Sequence, residues 1–348
     1  MLGSCVNKTD CLCTYNHFTI ERDASIVFRA QGYRLRLSSQ GLDAIENALG
    51  PEDFQKFYDK CGKTGGAGFA AIDPLTGETL TGRTATYGKI VGISRGDMRT
   101  LFIEGLEHNI RWSHHIVGYE TTDDGVRLVF ADGSKSEEGS MLVGGEGVKS
   151  AVAGQLSNGA IKVYDLGSRR IHGQAPTAAF KGLGEGVFVI SDTDSQPNGG
   201  KVFLITNFGW TMGGSPGVID APNDNYTITG PPAAKIAKSL ISHCHARAEA
   251  AFWKITCSSP DGVPTWPNEP LMTVIGDAVH AMTPAGGNEA WERGDGDSWT
   301  GVTVAYEKEM GVYATEAVQA SYGSAITQFG VNLDLEHTPT INKYVAPN

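Results

Sequence analysis

The chain has 348 residues, enough for two domains sharing an interface or one large domain with an inserted sheet. Hydrophobic residues at 40% and charged residues at 19% suit a globular protein, and a net charge of −11 spread along the chain lacks the basic footprint of a nucleic-acid binder. No apolar run is long enough to span a bilayer and the first ten residues lack a signal peptide's apolar core, so a soluble, cytoplasmic protein with no membrane partner is expected, its six cysteines reduced.

Residues 1–17 are polar and aperiodic and read as an arm. Residues 18–23 read as a short strand ending in charge, which sets the Glu21 carboxylate and the Arg22 guanidinium at a strand's carboxyl end, where dinucleotide-binding folds hold ribose hydroxyls. Residues 31–37 alternate like a strand, and 38–49 open on cap residues and continue at helical spacing. The glycine-rich run 65–68 follows no strand and reads as a surface turn, with another turn at 73–78. Residues 93–106 form a Ser-capped amphipathic helix with Arg95 and Arg99 four apart on one face; two guanidiniums so placed suit a pyrophosphate or, equally, a solvated charged face. Strands are expected over 111–117 and 125–130 with a turn at 132–134, and His114 and His115 of such a strand would face opposite ways and could not share a metal ion. Residues 141–152 read as a buried strand, a glycine turn and a helix start.

Between about 161 and 270, short strand-like runs at 186–190 and 201–206 alternate with Gly, Pro and Asn turns, which suits a mainly antiparallel sheet roofing a pocket. Residues 232–253 read as a helix on which His243 and His245 are too tightly spaced to ligate one metal, and no metal site is expected. The apolar run 271–275 has the length and β-branched content of a buried strand, and it breaks at Gly276-Asp277. A carboxylate there can accept hydrogen bonds from sugar hydroxyls. The loop Thr283-Pro284-Ala285-Gly286-Gly287-Asn288 has little side-chain bulk and lets backbone N–H groups approach a planar or anionic group. The plainer alternative is an ordinary strand and turn in which Asp277 caps the next segment. Gly294 and Gly296 interrupt any helix over 288–299, helical spacing resumes over 302–329, and 331–348 read as a tail.

The stretch 272–287 resembles the GD motif of the flavin-dependent aromatic hydroxylases, the class A flavoprotein monooxygenases with the p-hydroxybenzoate hydroxylase fold. The resemblance implies that Gly276 and Asp277 meet the ribityl chain of FAD and that Pro284, Gly286 and Gly287 lie against its isoalloxazine. Over roughly residues 18–330 it further implies Glu21 on the adenosine ribose, Arg22 near the phosphates and Arg99 as a flavin contact. Residues 144–150 resemble the family's DG motif, with Glu146 standing for its aspartate and Ala153 for its arginine. The family's first strand and Gly-x-Gly-x-x-Gly turn have no counterpart before residue 18.

The implied fold class is mixed α/β and α+β: a truncated Rossmann-like FAD-binding domain in two parts, 18–160 and 271–330, with an inserted, mainly antiparallel substrate domain at 161–270. The implied function is that of an FAD-dependent monooxygenase hydroxylating or epoxidising a small aromatic or polyketide-like metabolite, with NAD(P)H and O2 as co-substrates. No catalytic base is assigned. The absent phosphate turn and the interrupted helix favour an alternative from another class, a flavin-free descendant acting as a lyase, isomerase, cyclase or binding protein in secondary metabolism. A third reading is a chain that, without a central strand, leaves its neighbours' backbone groups unpaired and gives no stable protein.

Overall fold

The computed structural model of the chain describes residues 17–26, 34–63, 69–72, 79–83, 91–174, 187–192, 202–206, 210–225, 228–240, 249–284, 301–342 and 344. The chain enters through β1 (Thr19–Ile20), then β2 (Arg34–Leu37), α1 (Ser39–Lys60) and β3 (Gly62–Lys63). Ser38 starts α1 by accepting from the Gly41 N–H at 3.3 Å. Gly50, with a φ of 75°, bends that helix just before Pro51. Next come β4 (Phe69–Ile72), β5 (Thr79–Arg83), β6 (Val91–Ser94) and α2 (Arg95–Ile103). Strands β2, β6 and β3 form an antiparallel sheet whose apolar residues share one core with α1 and α2, and the wholly buried Phe57 ring stacks on Phe102 at 5.8 Å. Burying a ring of that size stabilises by about 3 kcal/mol.

β7 (Ile110–Arg111) pairs in parallel with β1, after which the chain turns. The single strand expected over 111–117 is broken at Ser113, whose φ is 66°: its N–H donates to the Asp23 carbonyl at 2.9 Å and that of His114 to the Glu21 carbonyl at 3.0 Å, drawing the chain across the end of β1. His114 therefore sits edge-on to Phe130, with ring centroids 4.9 Å apart, and His115 is exposed. β8 (Ile116–Thr121) and β9 (Val126–Phe130) pair antiparallel, and the expected turn at 132–134 is closed by Phe130 N–H donating to the Ser134 carbonyl at 2.9 Å. After β10 (Leu142–Gly144), the short α3 (Ala151–Leu156) is tied to β8 by Gln155, whose amide exchanges two hydrogen bonds with the Tyr119 backbone.

A large sheet follows, built from β11 (Val163–Gln174), β12 (Val187–Asp192), β13 (Val202–Thr206), β14 (Trp210–Gly214) and, after α4 (Gly230–Leu240), β15 (Glu249–Ser258). Its order is β15-β11-β14-β13-β12-β4-β5, antiparallel throughout except for the parallel β12–β4 pair. The mainly antiparallel sheet thus exists, and it takes two strands from the chain before residue 160. Residues 249–253, expected at the end of a helix, are instead strand: Phe252 and Trp253 lie opposite Ile171 and Arg170 of β11. The expectations for 65–68, 73–78, His243, His245 and 288–299 fall outside the described residues.

β16 (Met272–Val274) pairs in parallel with β10, and α5 (Val302–Phe329) has the bounds its sequence spacing predicts. Both sides of the molecule's parallel layer meet one core: Val126, Leu128, Val152, Met272, Val274, Met310 and Ala314 pack together, with Ile20 and Leu142 against them. Among the described residues the parallel layer consists of two separate pairs, β1–β7 and β10–β16, the truncated form of a dinucleotide-binding sheet. Residues 331–342 do not trail away. Val331 is buried, Ile341 N–H donates to the Val163 carbonyl at 2.8 Å, and the Asn342 amide bonds Val163 N–H at 2.7 Å and the Ile161 carbonyl at 2.8 Å. No helix among the described residues is long and apolar enough to cross a membrane.

Candidate active site

The carboxyl ends of parallel strands border the binding crevice of open α/β sheets. Here three such ends carry polar groups: β1 runs into Glu21, β10 into Gly145-Glu146-Gly147, and β16 into Gly276-Asp277.

At the end of β1, Glu21 and Arg99 are brought together. The Arg99 guanidinium lies 3.8 Å from the Glu21 carboxylate and 3.6 Å from that of Asp23, and all three side chains are largely buried. These separations are ion pairs, too long for hydrogen bonds. Arg99 Nε and Nη2 are buried and have no hydrogen-bond acceptor among the described residues. Helix α2 fixes this geometry: Ser94 Oγ accepts from Asp97 N–H at 3.0 Å, and Met98 and Phe102 anchor the opposite side in the core. Asp23, a buried carboxylate within the same charged run, was not singled out in the sequence; the signal available was its place two residues after Glu21, whose Oε1 accepts the Asp23 N–H at 3.0 Å. Arg22 is exposed, on the other side of the chain from that cluster, and Arg95 is exposed as well.

The β10 turn behaves differently from the motif it resembles. The Glu146 carboxylate folds back onto α3, accepting from Ser150 Oγ at 2.6 Å and from Val152 N–H at 3.1 Å. Its extra methylene gives it the reach to cap the helix, a role an aspartate four residues upstream of Ser150 could fill less easily. Ala153, buried, packs where the motif carries an arginine.

At the end of β16 the chain makes a single helical turn over Gly276–Ala278. Gly276 has a φ of 58°, and a Cβ there would meet no described residue within 4 Å. Asp277 is exposed and makes no hydrogen bond or ion pair with any described residue, so it does not cap this turn. Beyond it, Ala281 and Ser258 exchange hydrogen bonds at 2.8 Å, and Thr283 Oγ1 donates to the Ser321 carbonyl at 2.8 Å, which delivers Pro284, exposed, to the side of β15 that α5 covers. Gly286 and Gly287 fall outside the described residues.

Known proteins supply a frame for this arrangement. No family model matches the chain. In sequence it is similar to the dual O-methyltransferase/FAD-dependent monooxygenase elcB of Phaeosphaeria nodorum, 25% identical over 348 aligned residues that cover 80% of this chain and 37% of that protein. The chain thus spans little more than a third of that relative. In structure it is similar to a protein of Photorhabdus luminescens described as an FAD-containing monooxygenase, with a TM-score of 0.68 at 21% identity over 89% of this chain and 91% of that one. The fold is that of the FAD-containing monooxygenases. Klebsiella pneumoniae HpxO, solved with FAD and uric acid, shares the same monooxygenase fold at a TM-score of 0.62 and 16% identity, over 85% of this chain and 79% of that one.

Three observations test whether residues on this monooxygenase fold fit a flavin dinucleotide. Among the described residues, the space beside Gly276 is open where any other residue would place a Cβ, Asp277 offers an unengaged carboxylate, and Arg99 holds buried N–H groups without acceptors beside two carboxylates. They suit, in turn, the close passage of a chain, sugar hydroxyls as donors, and a ribose-phosphate end. No glycine-rich phosphate turn follows a strand among the described residues, so of the cofactor's parts the pyrophosphate has the fewest described partners.

Proposed function

We propose that the chain is an FAD-dependent monooxygenase that hydroxylates or epoxidises a small aromatic or polyketide-like metabolite with NAD(P)H and O2, in the cytoplasm. In this reading the cofactor-binding part comes from residues 18–160 and 271–330 apart from β4 and β5, and the large sheet of 161–270 with those two strands closes over the substrate. The observation that carries it is the Gly276-Asp277 turn, which among the described residues is open in front and unengaged in its carboxylate, at the end of a parallel strand on a monooxygenase fold. Bound FAD, reduced by NAD(P)H, supplies the electrons with which one atom of O2 enters the substrate and the other leaves as water.

The protein's own residues bind and orient. Asp277 would accept from the ribityl hydroxyls and Glu21 and Asp23 from the adenosine ribose, with Arg99, beside those two carboxylates, as a further cofactor contact; Arg22, exposed on the other side of the chain, lies apart from this cluster. Pro284, Gly286 and Gly287 give the ring a surface free of bulk. The large sheet would exclude bulk water from the reacting centre and so limit side reactions that yield no product.

The test is reconstitution: purified protein is mixed with FAD, freed of excess, and examined for flavin absorbance and for substrate-stimulated NAD(P)H consumption. A folded protein that stays colourless sinks the proposal. That outcome would favour a flavin-free lyase, isomerase, cyclase or binding protein, a reading supported by Glu146, which is committed to capping α3.

A further inference from the structure

The hydroxyls along helix α5 divide by what they bond. Thr315, Ser324 and Thr327 each donate to a carbonyl one turn back in the helix, at 2.6, 3.0 and 3.4 Å, the local partner a hydroxyl within a helix ordinarily takes. Ser321 reaches outward instead. Its Oγ donates to the Thr283 carbonyl at 2.8 Å, and the Thr283 hydroxyl donates back to the Ser321 carbonyl at 2.8 Å. Both residues are buried in apolar company: Val318 and Ala325, one turn either side of Ser321, share a core with Cys257 and Phe329, and Met282 packs against it. An alanine at 321 would suit both the helix and that core, and a buried hydroxyl is costly unless paired. What the serine adds is a fixed level on α5 for residue 283.

The other end of the same stretch is tied to the same helix. Glu307 accepts from Thr273 Oγ1 at 3.2 Å and from the Asn268 side-chain amide at 3.0 Å, and Tyr306 Oη donates to the Val274 carbonyl at 3.3 Å. Ser321 stands fourteen residues beyond Glu307 on α5, about 21 Å at 1.5 Å per residue. The chain from Thr273 to Thr283 could extend to about 35 Å. Its length therefore does not set how far apart Asp277 and Pro284 lie; the two ties to one rigid helix do. From the other side, Ser258 holds Ala281 to β15, and Cys257 takes a hydrogen bond from the Thr283 backbone. Thr283, the residue before Pro284, is thus gripped between β15 and α5.

We propose that Ser321 is a positioning residue for the cofactor: acting through Thr283, it fixes Pro284 at the spacing from Asp277 that a single ligand touching both requires. The inference rests on the monooxygenase reading, in which Pro284 lies against the isoalloxazine and Asp277 meets the ribityl chain, and it adds a residue that touches neither. Ser321→Ala removes one donor and leaves the helix intact. The Thr283 carbonyl then loses its tie to α5, and Pro284 is free to shift, which loosens the ring end of the cofactor while the ribose end beside Glu21 and Arg99 stays as it was.

The experiment uses the full chain and compares wild type, Ser321→Ala and Asn342→Ala, the last removing buried hydrogen bonds elsewhere in the fold. Three quantities are read: amide hydrogen exchange over residues 279–284 without FAD, the Kd for FAD from quenching of flavin fluorescence, and the visible circular dichroism of the bound flavin, which reports the surroundings of the ring. Ser321→Ala should speed exchange over 279–284 relative to the rest of the chain and alter the visible circular dichroism. It should also raise the Kd about fivefold, the equivalent of one buried hydrogen bond. Asn342→Ala should lower the Tm and change none of the three. A Ser321→Ala protein with wild-type Kd and circular dichroism overturns the inference even if exchange is faster, because the serine then serves the fold alone. Unchanged exchange overturns it as well, as does an equal loss of FAD affinity in Asn342→Ala. Failure of the wild type to take up FAD defeats the monooxygenase reading and with it the cofactor role of Ser321; faster exchange in Ser321→Ala would then keep the anchor, and unchanged exchange would remove that too.

Discussion

Replacing Gly276 by alanine separates a backbone cost from a ligand cost. The residue's φ of 58° disfavours any side chain, yet a Cβ would meet no atom of a described residue within 4 Å, so the free protein should lose only the conformational term. That term is about 1–2 kcal/mol, a fall in Tm of roughly 1–3 °C for a chain of this size. Gly144→Ala is the contrasting control: its Cβ would stand 2.7 Å from Val152 Cγ1 and 3.1 Å from Val274 Cγ1, inside the core between β10, β16 and α3. Overpacking of that kind costs about 1–3 kcal/mol or more. If the open space at Gly276 is the path of the ribityl chain, the added methyl should also raise the Kd for FAD at least about tenfold, some 1.4 kcal/mol beyond the stability loss. Urea denaturation gives the first quantity and quenching of flavin fluorescence on titration the second. A Gly276→Ala protein that loses stability as expected but binds FAD as the wild type does would show that the cofactor does not pass this turn. A loss above about 4 kcal/mol would show that the turn is not open.

Three further outcomes follow from the same geometry. Arg99→Leu should cost about 3 kcal/mol, because it leaves the Glu21 and Asp23 carboxylates buried together without their cation; an unchanged urea midpoint would contradict the cluster. His172, neutral when folded, takes up a proton near pH 6.5 when unfolded, so stability should fall as pH drops below 6.5, by roughly 1.4 kcal/mol per unit toward about pH 3, with no contribution above. His172→Gln should flatten that acid limb in denaturation midpoints taken at about pH 7 and 5, and an identical limb would refute the assignment. Asn342→Ala should cost about 2 kcal/mol by stranding the Val163 N–H and the Ile161 carbonyl, measurable as a lower Tm without loss of FAD uptake.

What could be read from the sequence was local. Ser38, Ser94 and Ser150 each cap the helix that follows within three residues, and the run into Gly276-Asp277 carries its strand, turn and open glycine in a dozen positions. Helix α5 kept its bounds because its spacing is uninterrupted over 28 residues. What stayed hidden depends on partners far along the chain. Residues 249–253 are strand because β11, some eighty residues earlier, pairs with them, and no local propensity announces that. The break at Ser113 is imposed by carbonyls of Glu21 and Asp23, and the last residues are held by Ile161 and Val163. At the site, the sequence marked Glu21, Arg99 and Asp277 but not Asp23 or the diversion of Glu146, since both depend on which way a carboxylate turns. The fold class, mixed helix and sheet with a mainly antiparallel insert, was legible throughout.

The pairing of β10 with β16 has a consequence for how the protein is made. Leu142 leaves the ribosome about 130 residues before Met272, its only described strand partner, which at ~5–20 residues per second is a delay on the order of 10 s. During that interval the nascent chain exposes Leu142 and Val143, and the glycine that must lie against Val152 and Val274 has only one of its two neighbours. Synthesis of this protein should therefore be more dependent on chaperones, and more sensitive to stalling between those two points, than its finished stability would suggest.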